Sequence, residues 1–167
     1  RPKLHADQLT DGGGAALAAE VGAISADHLE HASERGMAAM RTAGVVAVSL
    51  PFASLYLSLA PLPARRLLEL GVPLAVATDF NPGSAPSYHL PMAMTLACTL
   101  QRLTPAEALK GATIVAARAL GLEGEVGSLE AGKSADFAII DAESVEHWLY
   151  HLRDNACVRV VARGTDL

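Results

Sequence analysis

The stretch Val72-Pro73-Leu74-Ala75-Val76-Ala77-Thr78-Asp79 carries an apolar run straight into a carboxylate. A strand without polar alternation is what a parallel sheet covered on both faces requires, so Val72 to Thr78 reads as such a strand, with Asp79 just past its C-terminal end. The same design recurs upstream. Lys3 to Leu9 reads as a strand with His5 and Gln8 toward its end, Ile24 to Leu29 as a second ending at His28, and Val45 to Leu50 as a third. Helical patterns lie between them: Gly14 to Val21, Ser33 to Thr42 stopping at Gly44, and Ala64 to Leu70 ended by Gly71.

Four β-α units in series imply parallel strands joined by right-handed crossovers, in a doubly wound sheet or a closed barrel. Polar groups at the C-terminal ends of three strands favour the barrel, whose chemistry is assembled there. About half of a barrel's eight strands are found. The segment Pro51 to Pro63 reads as a proline-punctuated loop. Downstream, Leu90 to Leu100 is helical, and Thr104-Pro105-Ala106-Glu107 forms a capping box. A further helix, Ile114 to Leu120, closes on Gly121. From Gly127 the chain reads as a small β appendage, with β-like runs at Asp136 to Ile140 and Val158 to Val161 around a helical patch at Val145 to Leu152. The expected division is residues 1–121 and residues 122–167.

Composition narrows the function classes. Hydrophobic residues make up 51% and charged residues 19% of the 167 positions, which excludes a disordered chain. A net charge of -5 with no basic block argues against nucleic acid as a partner. Apolar runs are short and broken by Pro61 and Pro63, so no membrane partner is expected. Only Cys98 and Cys157 are present, without CxxC spacing, which speaks against a disulfide framework or thiolate zinc site and for a reducing cytoplasm.

A hydrolytic metal site needs imidazoles and a carboxylate on one cation, with a position open to water. His5 and Asp79 are suitable types at strand mouths, although each alone is also an ordinary strand-end or turn residue. His28 lies in Ser25-Ala26-Asp27-His28-Leu29-Glu30-His31. On a helix His28 and His31 would share a face, but the apolar run before His28 speaks for a strand end. His28 therefore reads as an active-site electrophile or proton donor, His31 as structural, and Asp27 as an orienting group or loop start. His89, His147 and His151 have no partner at useful spacing. Asp79-Phe80-Asn81-Pro82-Gly83-Ser84 offers an acid, short polar side chains and exposed amides that can hold a cation and an anionic group, or makes a plain turn. Gly12-Gly13-Gly14 lacks the lysine and spacing of a P-loop and reads as a loop.

Lys3-Leu4-His5-Ala6-Asp7-Gln8, Ser25 to His31 and Ala77 to Ser84, in that order, resemble three signatures of the imidazolonepropionases, a family of the amidohydrolase superfamily. The resemblance continues through Leu103 to Leu109 and Gly127 to Asp136. It implies an α/β fold: the C-terminal half of a metal-dependent (β/α)8 TIM-type barrel, strands five to eight with their helices, followed by part of a β appendage. It implies one divalent metal, zinc or iron, bound by His5 and Asp79, with Asp79 also taking the proton of the attacking water. His28 would polarise the carbonyl or stabilise the oxyanion, and Gln8, Asn81, Gly83 and Ser84 would contact a small-molecule substrate. The implied reaction opens the cyclic amide of 4-imidazolone-5-propanoate to N-formimino-L-glutamate in histidine degradation.

The chain departs from the family in having no His-x-His pair; the family also uses an arginine, a tyrosine and a histidine from the barrel's first half. The expectation is that the first half is absent and that this polypeptide alone does not turn over. Two exposed sheet edges and an apolar interior would then make it a homo-oligomer or the partner of the absent half. Other cyclic amidohydrolases or deaminases, and a non-catalytic half-barrel, are the competing readings.

Overall fold

The computed structural model describes residues 1–167. Its main sheet is formed by β1 (Lys3–Ala6), β2 (Ser25–His28), β3 (Val46–Ser49) and β4 (Leu74–Val76), in the order β1-β2-β3-β4. All pairings are parallel, with Lys3 opposite Ser25, Ser25 opposite Val46 and Ala47 opposite Leu74. The strands therefore end together. They are shorter than the apolar runs because Asp7, at φ 49°, and His28, at φ 77°, turn the chain out of the sheet.

Helices α1 (Gly14–Glu20), α2 (Glu34–Ala43), α3 (Pro51–Tyr56) and α4 (Ala64–Glu69) make the crossovers. Helix α2 starts where the Ser33 hydroxyl accepts from the Gly36 amide and stops at Gly44, whose φ of 69° needs a residue without Cβ. Helix α3 corrects the loop expected over Pro51 to Pro63. Pro51 opens it, since proline at the first helical position gives up only an amide that has no intrahelical acceptor. After β4 come α5 (Leu90–Gln101), α6 (Pro105–Ala112), with the expected capping box, and α7 (Ile114–Leu120). The tail forms an antiparallel sheet of β5 (Phe137–Ile140), β6 (Cys157–Ala162) and β7 (Thr165–Asp166), with α8 (Val145–Tyr150) between β5 and β6. No helix is long and apolar enough to cross a membrane.

Alternation gives the main sheet two faces. Ala6, Ala26, Ala47, Leu74 and Val76 face the larger core with Met40, Leu67 and Met94. Val46, Val48 and Ala75 face the other way, where Ala53 of α3 and Ala119 of α7 cover them. The bare apolar interior expected for half a barrel is thus absent on β3 and β4. The edges differ as well. At Gly111, α6 lies so close to β4 that a Cβ would stand 3.1 Å from the Leu74 carbonyl oxygen and 3.3 Å from the Val76 nitrogen. Only β1 keeps an edge without a covering element, and its Lys3 and His5 are exposed.

Candidate functional site

Parallel register brings the ends of β1 and β2 together, and two histidines meet there. His28 Nε2 lies 2.9 Å from His5 Nδ1, and the ring centroids are 5.0 Å apart. His5 faces outward while His28 is only 2% exposed. The backbone at this rim is unusual: Asp7, His28, Leu29 and Asp79 all have positive φ, each costing of order 1–3 kcal/mol and persisting only where the surroundings enforce it. Here they do. The Leu29 amide donates to the Ala6 carbonyl and the His31 amide to the Asp7 carbonyl, both at 2.9 Å, locking the two strand ends together.

Asp79 follows β4 at the same end of the sheet, and its charge reaches the same cluster. Burial holds the His28 imidazole below the usual histidine range; Asp79 opposes that shift and His5 adds to it. Burial also pushes the Asp27 carboxyl up, against His5, Lys3 and Ser25, with Asp79 adding to the rise. His5 and Asp27 are register neighbours, so Asp27 flanks the site rather than starting a loop.

Asn81, Gly83 and Ser84 also gather, but around one another. The Gly83 and Ser84 amides each donate to Asn81 Oδ1 at 2.8 Å, and Asn81 Nδ2 donates to the Asp79 carbonyl at 2.7 Å. The amides expected to hold an anion are already used, and Asn81 braces the loop that carries Asp79. Gln8 is half-buried beside the rim. The Gly12-Gly13-Gly14 loop is likewise filled from within: Asp7 accepts from the amides of Gly12, Gly14 and Ala15 at 2.8–2.9 Å. A Cβ on Gly14 would stand 2.9 Å from the Ala6 Cβ, so only glycine fits there.

The sequence reading missed two groups, Asp7 and Glu30. Glu30 is buried, accepts from the Ser54 hydroxyl at 2.6 Å and leaves Oε2 without a hydrogen-bond partner, 4.0 Å from His28 Nδ1, which also has none. Among the remaining histidines, His31, which the sequence reads as structural, is exposed. His147 and His151 are not unpartnered: their rings meet edge to face at 4.6 Å. His89 accepts from the Met92 amide and contacts the Asp154 carbonyl.

The donor types at the rim suit a borderline cation such as zinc, which takes imidazole and carboxylate ligands. No three His, Cys, Asp or Glu side chains gather to hold an ion.

Known proteins resemble the chain in sequence and in fold. The chain is 53% identical over 163 residues to an imidazolonepropionase of Symbiobacterium thermophilum, covering 97% of this chain and 38% of that protein. It is 50% identical to one from Geobacillus thermodenitrificans and 52% identical to one from Cupriavidus necator, over 98% of this chain and 38% and 40% of theirs. The chain thus spans about two-fifths of the length of these relatives, and the C-terminal placement expected from the sequence is not borne out by the matches. In fold it is similar to an adenosine deaminase from Xanthomonas campestris with bound zinc, at TM-score 0.84 and 24% identity over 98% of this chain and 44% of that one. It is also similar to atrazine chlorohydrolase from Arthrobacter aurescens complexed with zinc, at TM-score 0.80 and 20% identity over the whole of this chain and 44% of the other. The model of the amidohydrolase family matches residues 5–166, taking in His5, His28 and Asp79, and the chain belongs to that family.

Proposed function

We propose that this chain is part of an imidazolonepropionase, a metal-dependent hydrolase that opens the cyclic amide of 4-imidazolone-5-propanoate to N-formimino-L-glutamate. The observation that carries the reading is identity of 45–53% to imidazolonepropionases over nearly the whole chain. The convergence of His5 and His28 at the strand ends supports it. In this reading residues 1–121 supply half of a (β/α)8 barrel and residues 122–167 an appendage. The remaining cation ligands come from the rest of the relatives' length, and the partner at the site is a small molecule. The two free cysteines support a reducing compartment such as the cytoplasm.

His5 and Asp79 would hold the cation, and the donor set is compatible with zinc or iron. When bound, that cation supplies Lewis acidity and hydroxide at neutral pH. Asp79 takes the proton of the attacking water, its loop held by Asn81. His28 polarises the scissile carbonyl or stabilises the oxyanion that forms. Gln8 and the Asn81–Ser84 loop flank the substrate, with the two loop amides kept in place by Asn81.

The protein as its gene encodes it is expected to hydrolyse imidazolone propionate, to lose that activity on chelation and to regain it with zinc or iron. Absence of turnover in metal-loaded, folded protein, or preference for a purine or triazine ring, would remove this assignment.

A further inference from the structure

Glu30 has no part in the chemistry above, yet it is 7% exposed and its Oε2 faces His28 Nδ1 across 4.0 Å, both atoms buried and unpartnered. Orphaned buried polar atoms are costly and rare in native structures, and a movement of about 1 Å would bring these two within hydrogen-bond reach. The other carboxylate oxygen is fixed by the Ser54 hydroxyl, which donates to it at 2.6 Å. Ser54 belongs to α3, so the helix after β3 sets the position of a group behind the β2 histidine.

We infer that Glu30 is a positioning residue that selects the tautomers of His28 and His5. Burial pushes the Glu30 carboxyl up while the Ser54 hydroxyl opposes that shift; in its ionised form the group only accepts, so it places a proton on His28 Nδ1. His28 Nε2 is then an acceptor, and the 2.9 Å contact with His5 is a donation from His5 Nδ1. The consequence falls on the second ring: with its proton on Nδ1, His5 keeps the lone pair of Nε2 free for a cation. Carboxylates behind metal-binding histidines commonly fix ring and tautomer in this way; here the effect is relayed through a second imidazole. For His28 to donate to the reacting carbonyl, Nε2 must gain a proton, and the one that Asp79 removes from water is the available source.

The cation's part rests on the reading under Proposed function; the tautomers do not. They are read by nitrogen-15 spectroscopy of histidine-labelled, metal-free protein as its gene encodes it. Wild type should show His28 and His5 both protonated at Nδ1. Glu30→Gln can still accept from Ser54 while turning an amide donor to His28, so both rings should switch to the Nε2-protonated form and zinc affinity should fall about tenfold or more. Glu30→Asp, which keeps the carboxylate, should retain the wild-type pattern. A wild-type His28 protonated at Nε2, or a folded Glu30→Gln protein with unchanged tautomers, overturns the inference. Loss of hydrolase activity as a finding, with the tautomers as stated, would sink only the functional reading.

Discussion

His28 is the residue on which geometry and chemistry meet, being buried, in contact with His5 and within the field of Asp79. If it acts as an acid or electrophile toward the reacting carbonyl, replacing it removes a transition-state interaction and leaves most ground-state binding intact. His28→Gln is therefore expected to lower kcat by roughly 100-fold to 10,000-fold with a small change in KM, measured by steady-state kinetics in metal-loaded protein. A matching rise in KM with kcat unchanged would make His28 a binding group instead. His28 and Asp79 were legible in the sequence because each closes a strand-like run, and His5 because it lies in one, and a parallel sheet places such positions at one rim. Glu30 and Asp7 were not. Their partners, Ser54 for one and the amides of Gly12, Gly14 and Ala15 for the other, lie on a different element or across a loop, where residue spacing carries no signal.

At the scale of elements, a charged acceptor starts α1, as a hydroxyl starts α2 and α6. The Asp7 carboxylate satisfies three backbone amides at the start of a seven-residue helix that could not stand alone. Asp7→Ala should cost about 2–3 kcal/mol, since hydrogen bonds to a charged group contribute about 1.5–3 kcal/mol and some amides will find water; denaturant unfolding checks it, and a loss under about 0.5 kcal/mol would show that the loop re-forms. Helix α6 provides a pH test. Partial burial acts to raise the Glu107 carboxyl, but the Arg65 guanidinium and the Thr104 amide and hydroxyl outweigh it and hold the group below its ordinary value. Its contribution is therefore present above the unfolded carboxylate pKa and is lost as pH falls through the folded one. The difference in stability between wild type and Glu107→Gln should shrink as pH is lowered below about 4.5, and a difference that grows there would reverse the sign. The strands and most helices could be read from apolar runs and caps. Helix α3 could not, because prolines at positions 51, 61 and 63 look like loop punctuation until tertiary contact shows that the first opens a helix.

Over the whole molecule, the surfaces left open are not the ones a half barrel would suggest. Helix α7 covers β3 and β4, a packing that no local pattern announces, so the second face is bare only where β1 and β2 present Lys3, His5 and Asp27. The apolar surface lies elsewhere. Phe137, Ile139, Val158 and Val160 are exposed on β5 and β6, and an apolar cavity of about 760 Å³ opens beside them, lined by Leu109, Leu120, Val126, Leu129, Ile140 and Trp148. Exposed apolar surface of this kind, together with the unpaired edge of β1, favours association. Residues 1–167 produced alone should therefore show a mass that rises with concentration in sedimentation or light scattering, bind zinc weakly, and leave imidazolone propionate intact. The reason for the last two is shared: with His5 and Asp79 as the proposed ligands, the chain offers two where hydrolytic zinc takes three from protein. A monodisperse, zinc-saturated and fully active preparation of these residues would mean that the chain completes its own site, and the division of the ligand set between this chain and the rest of its relatives' length would be wrong.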